Sequence, residues 1–199
     1  MRENCNMKKK VVKNVLESSH GYSLSGYRWS SLSVTYSFMP DGTVIGTQKS
    51  DLWKKYSPVE LMGVVGRGFE VWGRYVPLVF EEVGDDGSPV GGRGKFGDIR
   101  IGSFASGGNQ YAQSYFPYAT STRGGDITLN TRYEWYRLPV LGTGKYADLY
   151  SVMLHEIGHA LGLGHSTKYG CVMWPYIVGV YTDLKADDVA GIQAIYGVR

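Results

Sequence analysis

The chain has 199 residues, 43% of them hydrophobic, which suits one domain with a real core and a short extension. Its formal net charge of +3 is too small to indicate a nucleic-acid partner. No apolar run approaches the roughly 18 residues that span a bilayer, and the N-terminus lacks the apolar core of a signal peptide. Two cysteines, Cys5 and Cys171, exclude a disulfide-stapled scaffold. We therefore expect either a cytosolic product or the mature part of a longer protein.

The first predicted unit is an N-terminal extension, residues 1–21, which shows no hydrophobic period. The domain itself is expected to span residues 22–199. The basic run Lys8–Lys10 in the extension is interpreted as a solvated segment rather than as a binding site for membranes or nucleic acid. The first strand is predicted at Leu32–Phe38, where apolar residues alternate strictly with polar ones and define one buried face.

A helix is predicted to begin at Pro58, a residue that suits the first helical position. Ser57 can cap this helix, and Glu60 completes a capping box. Apolar residues then recur at helical spacing and predict a face that packs on the core. They are Leu61, Val64, Val65, Phe69 and Trp72.

Strands dominate the middle of the chain and helices its end. Four further strands are predicted at Pro77–Val83, Asp98–Phe104, Gln110–Phe116 and Asp126–Asn130. A loop rich in glycine and aspartate, 84–94, follows the first of them, and a long irregular stretch, 131–147, follows the last. Asp148 can cap a helix that ends near Leu161, and a last helix is predicted over about Ala186–Tyr196. This order of elements indicates the α+β fold class.

Three of the four histidines lie in the segment HEIGHALGLGH, which begins at His155. His155 and His159 are one helical turn apart, so both imidazoles can bind one metal ion. Zinc is the expected metal for nitrogen ligands that leave one position open. A continuous helix would point His165 away from that metal, so the helix must end first. Gly162 can form the left-handed helix end, and Gly164 gives further freedom before the third ligand.

Glu156 is adjacent to the first expected ligand and lies within reach of a zinc-bound water. It is predicted to be the general base that takes a proton from this water and passes it to the leaving amine. The motif HExxH alone is short enough to occur by chance, whereas HExxHxxGxxH is far rarer. Met173 follows it and fits the methionine turn that accompanies the longer motif, although a lone methionine there would more often fill a core.

The chain resembles the matrixins, the matrix metalloproteinase branch of the metzincins, over about residues 22–197. Apart from the histidine motif, the resemblance is carried by Arg28–Trp29, Phe69–Trp72, Pro77–Phe80, Asp188–Gln193 and Ile195–Gly197. It implies a twisted, mixed five-stranded sheet with three helices and a cleft that holds the zinc. It also implies an extracellular zinc endopeptidase that hydrolyses peptide bonds of extended protein substrates.

The resemblance further implies where a substrate lies. The peptide would run antiparallel to an edge strand, here Gln110–Phe116, which contains Ala112. The residue after the scissile bond would enter a hydrophobic pocket lined by Leu154, Pro175, Tyr176 and Ile177. We expect a monomer whose partners are protein or peptide substrates. The alternative is a matrixin-like binding module without proteolysis, against which the presence of Glu156 argues.

Two departures from the family concern a second zinc and latency. Animal matrixins hold a structural zinc with three histidines and an aspartate. Gln113 and Thr128 replace two of those histidines, and the loop that carries the other two ligands is shorter here, so one zinc per chain is expected. Cys5 lacks the Pro-Arg-Cys-Gly setting of the family's latency cysteine and is interpreted as a free thiol. Cys171 is expected to pack behind the methionine turn.

A structural calcium ion is also implied by the resemblance. Asp98 and Asp126 begin two of the predicted strands, and Gly124 lies in a glycine-rich loop that can offer backbone carbonyls. Hard oxygen ligands of this kind suit calcium rather than zinc. The alternative is that both aspartates are strand-end residues that face water or pair with Arg123 or Arg100.

Overall fold

The computed structural model describes residues 20–118, 122–136 and 146–199 of the chain. In chain order, its strands are β1 (Ser33–Phe38), β2 (Val44–Ile45), β3 (Gln48–Lys49), β4 (Val79–Glu82), β5 (Ile99–Phe104), β6 (Ala112–Ser114), β7 (Ile127–Asn130), β8 (Glu134–Tyr136) and β9 (Tyr146–Asp148). Its helices are α1 (Leu52–Lys55), α2 (Pro58–Gly73), α3 (Leu149–Ala160) and α4 (Ala186–Tyr196). This mixture confirms the predicted α+β class.

Five strands form the main sheet in the order β4-β1-β5-β7-β6. β1 is parallel to both β4 and β5, and β5 is parallel to β7. β6 is antiparallel to β7 and occupies one edge of this sheet. The predicted mixed five-stranded sheet is therefore confirmed, and its one antiparallel strand is the strand expected to bind substrate.

The main core lies where α2 and α3 pack on this sheet. In β1, Val34 and Tyr36 are buried, and the Tyr36 ring stacks on Phe69 of α2 with centroids 4.5 Å apart. Trp72 of α2 is fully buried, and its Nε1 donates to Leu154 O of α3 over 3.0 Å. The two helices are thus joined by a hydrogen bond as well as by apolar contact, and this contact sets the position of α3 under the sheet.

The ends of two predicted elements differ from the structure. Ser57 precedes α2, but its side chain makes no capping hydrogen bond, so the predicted capping box is wrong. Pro58 does occupy the first helical position, and its fixed φ can favour the helix start without a cap. Leu32 precedes β1 and is 53% exposed, so the buried face begins only at Val34.

Several short elements were not predicted. β2 and β3 form a hairpin, α1 is a single turn, and β8 and β9 form a short parallel pair inside the stretch predicted to be irregular. Elements of two to four residues are too short to show a hydrophobic period, which explains why the sequence analysis missed them. α1 also raises the helix count of the described residues from the expected three to four.

An N-terminal strap, residues 21–27, runs against the segment 162–167. Backbone hydrogen bonds join Ser25 N to Gly162 O and Gly164 N to Ser23 O, both at 2.9 Å. Asp187 of α4 accepts from Gly21 N over 2.7 Å. Gly21 of the predicted extension thus contacts the domain, and residues 1–19 lie outside the described residues. Within the described ranges, no helix is long and apolar enough to cross a membrane.

Candidate metal and catalytic site

α3 places the first two histidines on its buried face. Asp148 caps this helix as predicted, because its Oδ2 accepts from Ser151 N over 2.8 Å. His155 and His159 follow one turn apart and are 7% and 8% exposed. Both imidazoles are therefore fixed by a regular, well-capped helix and screened from solvent.

The chain turns sharply after α3 and brings the third histidine back. Gly162 N donates to His159 O over 2.9 Å and Leu163 N to Gly158 O over 3.0 Å, the two bonds of a Schellman motif. Gly162 has φ of 106°, which confirms its predicted role at the helix end. A side chain there would also collide with Tyr27 O of the strap. Glycine is thus required both by the backbone and by its neighbour.

Gly164 has a different role from the one expected. It does not adopt a positive φ, so the extra conformational freedom predicted for it is not used. A side chain at this position would instead collide with Ser23 of the strap. Gly164 therefore permits the close approach of the strap, and Ser23 Oγ donates to His165 O over 2.8 Å.

The three imidazoles converge on one point. His159 Nε2 lies 3.1 Å from His155 Nε2 and 3.2 Å from His165 Nε2. Tetrahedral zinc with Zn–N bonds of about 2.0–2.1 Å separates its ligands by about 3.3 Å, close to these distances. Among the described residues, this is the only group of three or more His, Cys, Asp or Glu side chains with converging ligand atoms.

Hydrogen bonds and burial prepare both helical imidazoles for a metal. His155 Nδ1 lies 2.7 Å from Val172 O, and His159 Nδ1 lies 2.7 Å from Leu163 O. A carbonyl can only accept, so each Nδ1 carries the proton and each Nε2 lone pair is free for a metal. Burial lowers the pKa of His155 and, further, that of His159, where the neighbouring imidazoles add to the effect. The neutral, ligating form is therefore favoured.

Glu156 lies beside this cluster and is 7% exposed. Burial raises the pKa of its carboxyl to about 7, and a hydrogen bond from Ser114 acts in the opposite direction. Ser114 Oγ, on β6, donates to Glu156 Oε2 over 2.5 Å. A cation bound at the imidazoles would favour the ionised carboxylate and oppose the shift. The helix that carries two of the histidines thus also carries a buried carboxylate that can accept a proton.

Met173 packs against α3, the helix that carries the first two histidines. It is 1% exposed, and its Sδ packs so closely on α3 that a side chain at Gly158 would collide with it. Val172, the residue before it, supplies the carbonyl that orients His155. Asp188 of α4 accepts from both Val172 N and Met173 N over 2.9 Å. α4 thus holds the turn that orients a candidate metal ligand.

Two of these supporting residues were missed by the sequence analysis. Ser114 could have been found from alternation, since the side chains of Ala112, Ser114 and Phe116 share one side of an extended strand. Asp188 was noted only as part of the family resemblance. Its position near the start of α4, where it also accepts from Lys185 N over 2.9 Å, is the sequence signal of a capping carboxylate.

The residues expected to line the substrate pocket differ in their exposure. Ala112, Pro175 and Ile177 are half-buried, and Tyr176 is 53% exposed, so all four have surface that a ligand can reach. Leu154 is different, because it is fully buried in the main core. Leu154 lies about 100° around the helix from His155, on the side opposite Glu156, and its expected place in the pocket wall stays a prediction.

The two candidate calcium ligands have unlike surroundings. Asp98 is exposed, and its Oδ2 accepts from Thr35 N and Thr35 Oγ1, both at 2.8 Å. Asp126 is 3% exposed, next to the buried Gly124–Gly125 turn, and its Oδ1 accepts from Arg100 N over 3.2 Å. Its Oδ2 is buried and has no hydrogen-bond partner in the described part of the chain. Asp126 therefore does not face water, contrary to the alternative interpretation.

The guanidinium of Arg100 does not pair with Asp126 either. It forms a nearly fully buried bidentate pair with Asp85, with Nε and Nη2 at 2.8 and 2.7 Å from the carboxylate oxygens. Burial, the largest effect, raises the pKa of Asp126 to about 7, although the backbone amide and charge of Arg100 lower it. The orphaned Oδ2 atom of Asp126 is the kind of ligand that fits a hard cation.

Gln113 and Thr128, which were expected to replace two zinc-binding histidines, are direct cross-strand partners. Asn130 Oδ1 accepts from Ser106 N over 3.0 Å, and its Nδ2 donates to Gln110 O over 2.9 Å. A cavity of about 10 Å³ lies among these side chains, barely enough for one water. Amide and hydroxyl groups of this kind are not preferred zinc ligands, and one zinc per chain stays a prediction.

Comparison with known proteins agrees with the geometry of the site. The chain matches the peptidase M10 family model described as matrixin over residues 28–197, which include the three histidines and Glu156. It is 34% identical over 192 residues to matrix metalloproteinase-16 of Homo sapiens, 35% over 179 residues to the hatching enzyme of Paracentrotus lividus, and 36% over 137 residues to the interstitial collagenase of Bos taurus.

These alignments cover most of this chain but a small part of each relative. They include 88%, 87% and 67% of the chain, and 28%, 27% and 27% of the three relatives. The chain thus spans less than a third of the length of these proteins and corresponds to one of their parts. Since the family model covers nearly everything after the N-terminal strap, the chain belongs to the matrixin family.

Proposed function

We propose that the chain is a zinc-dependent endopeptidase that cleaves extended protein substrates. Matrixin relatives are metalloendopeptidases, which supports peptidase activity as the general function. The observation that carries the proposal is the convergence of three Nε2 atoms at 3.1 and 3.2 Å spacing, with the buried Glu156 carboxylate one residue after His155. A binding module would need neither the converging imidazoles nor the adjacent base.

His155, His159 and His165 would hold the zinc through their Nε2 atoms. The ion would supply Lewis acidity that polarises the scissile carbonyl and lowers the pKa of water. Glu156 would accept the proton of the attacking water and then donate it to the leaving amine nitrogen. Val172 O and Leu163 O would keep His155 and His159 in the ligating tautomer throughout.

The substrate would bind along β6 as an added antiparallel strand. β6 is the edge of the main sheet, and edge strands present backbone groups that an extended peptide can pair with. Ala112 lies at its start, and Pro175, Tyr176 and Ile177 would wall the pocket for the residue after the cut. This pocket would favour large apolar side chains such as leucine, and an extracellular location is implied by the family.

The test compares the wild type with Glu156→Gln, using casein with and without a zinc chelator. Glutamine keeps the size of the side chain but cannot accept the proton, so a loss of about 10²–10⁴-fold in kcat/KM is expected. Metal analysis should still find one zinc per chain in the variant. A variant that retains a tenth of wild-type kcat/KM, or a wild type that the chelator does not inhibit, would contradict the mechanism.

We further propose that Asp126 binds a calcium ion, together with backbone carbonyls near Gly124 and with Asp98. The buried, orphaned Oδ2 of Asp126 supports this assignment. Asp98 would have to offer the oxygen that does not accept from Thr35. Millimolar calcium should raise the melting temperature of the wild type but not that of Asp126→Asn. Equal stabilisation of both proteins would contradict the site.

A further inference from the structure

Ser114 joins the edge strand of the sheet to the candidate base on α3. Its Oγ donates to Glu156 Oε2 over 2.5 Å. Two residues later, the Phe116 ring packs edge-on against His159, with centroids 5.8 Å apart. Gln113, which precedes Ser114, bonds to Gln110 instead. Alternation along the extended chain thus directs Ser114 and Phe116 toward the histidines and Gln113 away from them.

We propose that Ser114 is a positioning residue that aligns the Glu156 carboxylate for catalysis. The inference rests on the proposed endopeptidase function and adds a second residue to its proton-transfer step. Ser114 holds Oε2, which leaves Oε1 to exchange the proton. The substrate is expected to pair with the strand that carries Ser114, so one element would align both the peptide and the base.

The need for alignment follows from the geometry of proton transfer. A general base must lie within about 2.6–3.2 Å of the atom whose proton it takes. A misplacement of about 1 Å can cost up to about 10²-fold in rate. The side chain of Glu156 has several rotatable bonds, and its carboxylate is buried, so a hydrogen-bond donor at a fixed place restricts it strongly.

The proton balance of this step involves Glu156 alone. Oε1 accepts one proton from the attacking water as the new C–O bond forms, and it returns one proton to the amine nitrogen as the C–N bond breaks. Ser114 keeps its hydroxyl proton throughout and only donates a hydrogen bond. Its removal should therefore slow the chemical step without changing how substrate or zinc binds.

The experiment measures kcat and KM, per mole of bound zinc, for the wild type, Ser114→Ala and Ser114→Thr on a peptide substrate. Ser114→Ala is expected to lower kcat about tenfold, with KM within about twofold and an unchanged zinc content. Threonine keeps the hydroxyl and suits a strand, so Ser114→Thr should recover kcat to within about threefold of the wild type. If Ser114→Ala does not fold, Ser114→Cys, with its weaker donor, replaces it under the same prediction.

Ser37→Ala is the matched control. Ser37 also lies on the main sheet, and its Oγ donates over 3.0 Å to a buried carboxylate, that of Asp85, outside the site. Its loss should lower the melting temperature but leave kcat per bound zinc unchanged. This comparison separates alignment of the base from a general weakening of the sheet.

Three outcomes would overturn the inference while wild-type hydrolysis remains. They are a Ser114→Ala variant with more than half the wild-type kcat, a Ser114→Thr variant as slow as Ser114→Ala, and a Ser37→Ala variant that loses as much kcat as Ser114→Ala. Absence of hydrolysis by the zinc-loaded wild type would instead contradict the proposed function itself. The two failures are therefore distinguishable in one set of measurements.

Discussion

At the scale of single residues, the chain has two buried carboxyl groups whose pKa values lie near neutrality. Burial raises the pKa of Asp126 and that of Glu156 to about 7 each. Their ordinary values are 3.8 and 4.5, so the metal-free folded chain holds protons that the unfolded chain releases. Each group therefore contributes stability that is present below its unfolded pKa and is lost as pH rises toward about 7.

Calcium binding should depend on pH for the same reason. At pH 6 most Asp126 carboxyls are protonated in the free protein, and calcium must displace that proton, whereas at pH 8 the ionised form dominates. The rise in melting temperature caused by millimolar calcium is therefore expected to be larger at pH 8 than at pH 6. Thermal melts at both pH values, with Asp126→Asn as the control, measure this difference. An equal rise at the two pH values would count against Asp126 as a ligand.

At the scale of elements, the site depends on how α3 ends. Gly162 combines φ of 106° with a backbone carbonyl, Tyr27 O, in the place of a side chain. Gly170 has φ of 80° but open space around it. Substitutions at these two glycines therefore separate the effect of backbone strain from that of steric collision. Of the two, only Gly162 lies between two candidate metal ligands.

Gly162→Ala is expected to weaken both the fold and zinc binding. The backbone conformation alone costs about 1–3 kcal/mol, and the collision with Tyr27 O moves the segment that carries His165. Gly170→Ala should show the backbone cost without loss of zinc affinity. Melting temperature and zinc competition with a chromophoric chelator measure the two effects. Equal zinc affinities of the two variants would show that the helix end does not position the third ligand.

A second prediction at this scale concerns Asn130, whose side-chain amide joins β7 to a neighbouring loop. Asn130 ties β7 to the loop after β5 through Ser106 and Gln110, and its Oδ1 also accepts from Arg132 N, just after β7, over 3.1 Å. Asn130→Ala should destabilise the protein by about 1–3 kcal/mol, because buried backbone groups lose their partners. The exposed Asn109 of the same loop is the matched control, and Asn109→Ala should have little effect. Denaturant unfolding of both variants in excess chelator shows whether the stabilisation by the hydrogen bonds of Asn130 is independent of metal.

At the scale of the whole molecule, the parts of the site that were predictable are those that are local in sequence. The spacing of His155, His159 and His165 within one segment predicts a shared metal, and Gly162 predicts the turn. Ser114 lies 42 residues before its partner Glu156, and Asp188 lies 15 residues after Met173. Neither pair leaves a local pattern, because the sheet order and the docking of α4 create both contacts.

The same distinction applies to Leu154, whose place in the pocket wall stays a prediction. Its place in the motif suggests a pocket wall, since it immediately precedes His155. Whether a residue of α3 faces the cleft or the core depends on how α2 packs, and the bond from Trp72 Nε1 to Leu154 O shows that contact. Capping residues and alternating strands are determined by the local sequence, and most of them were predicted. The local sequence does not determine the direction in which a buried helix face points.

The strap gives a prediction at this largest scale. A variant that begins at Arg28, after the strap, should be less stable and bind zinc more weakly than one that begins at His20. The shorter chain lacks the hydrogen bonds to Gly162, Gly164 and His165 O that hold the third ligand. Melting temperature and zinc affinity of the two variants test this. Similar values would mean that the segment 162–167 holds its shape without the strap.

The pairing of the strap with α4 has a consequence for synthesis of the chain. Gly21 N bonds to Asp187, 166 residues later, and Asp188 orients the turn that holds His155. A ribosome-bound chain that has not yet released α4 lacks both contacts, even though all three histidines have been made. Full assembly of the metal site would therefore have to wait until α4 has left the ribosome, although the three histidines emerge earlier.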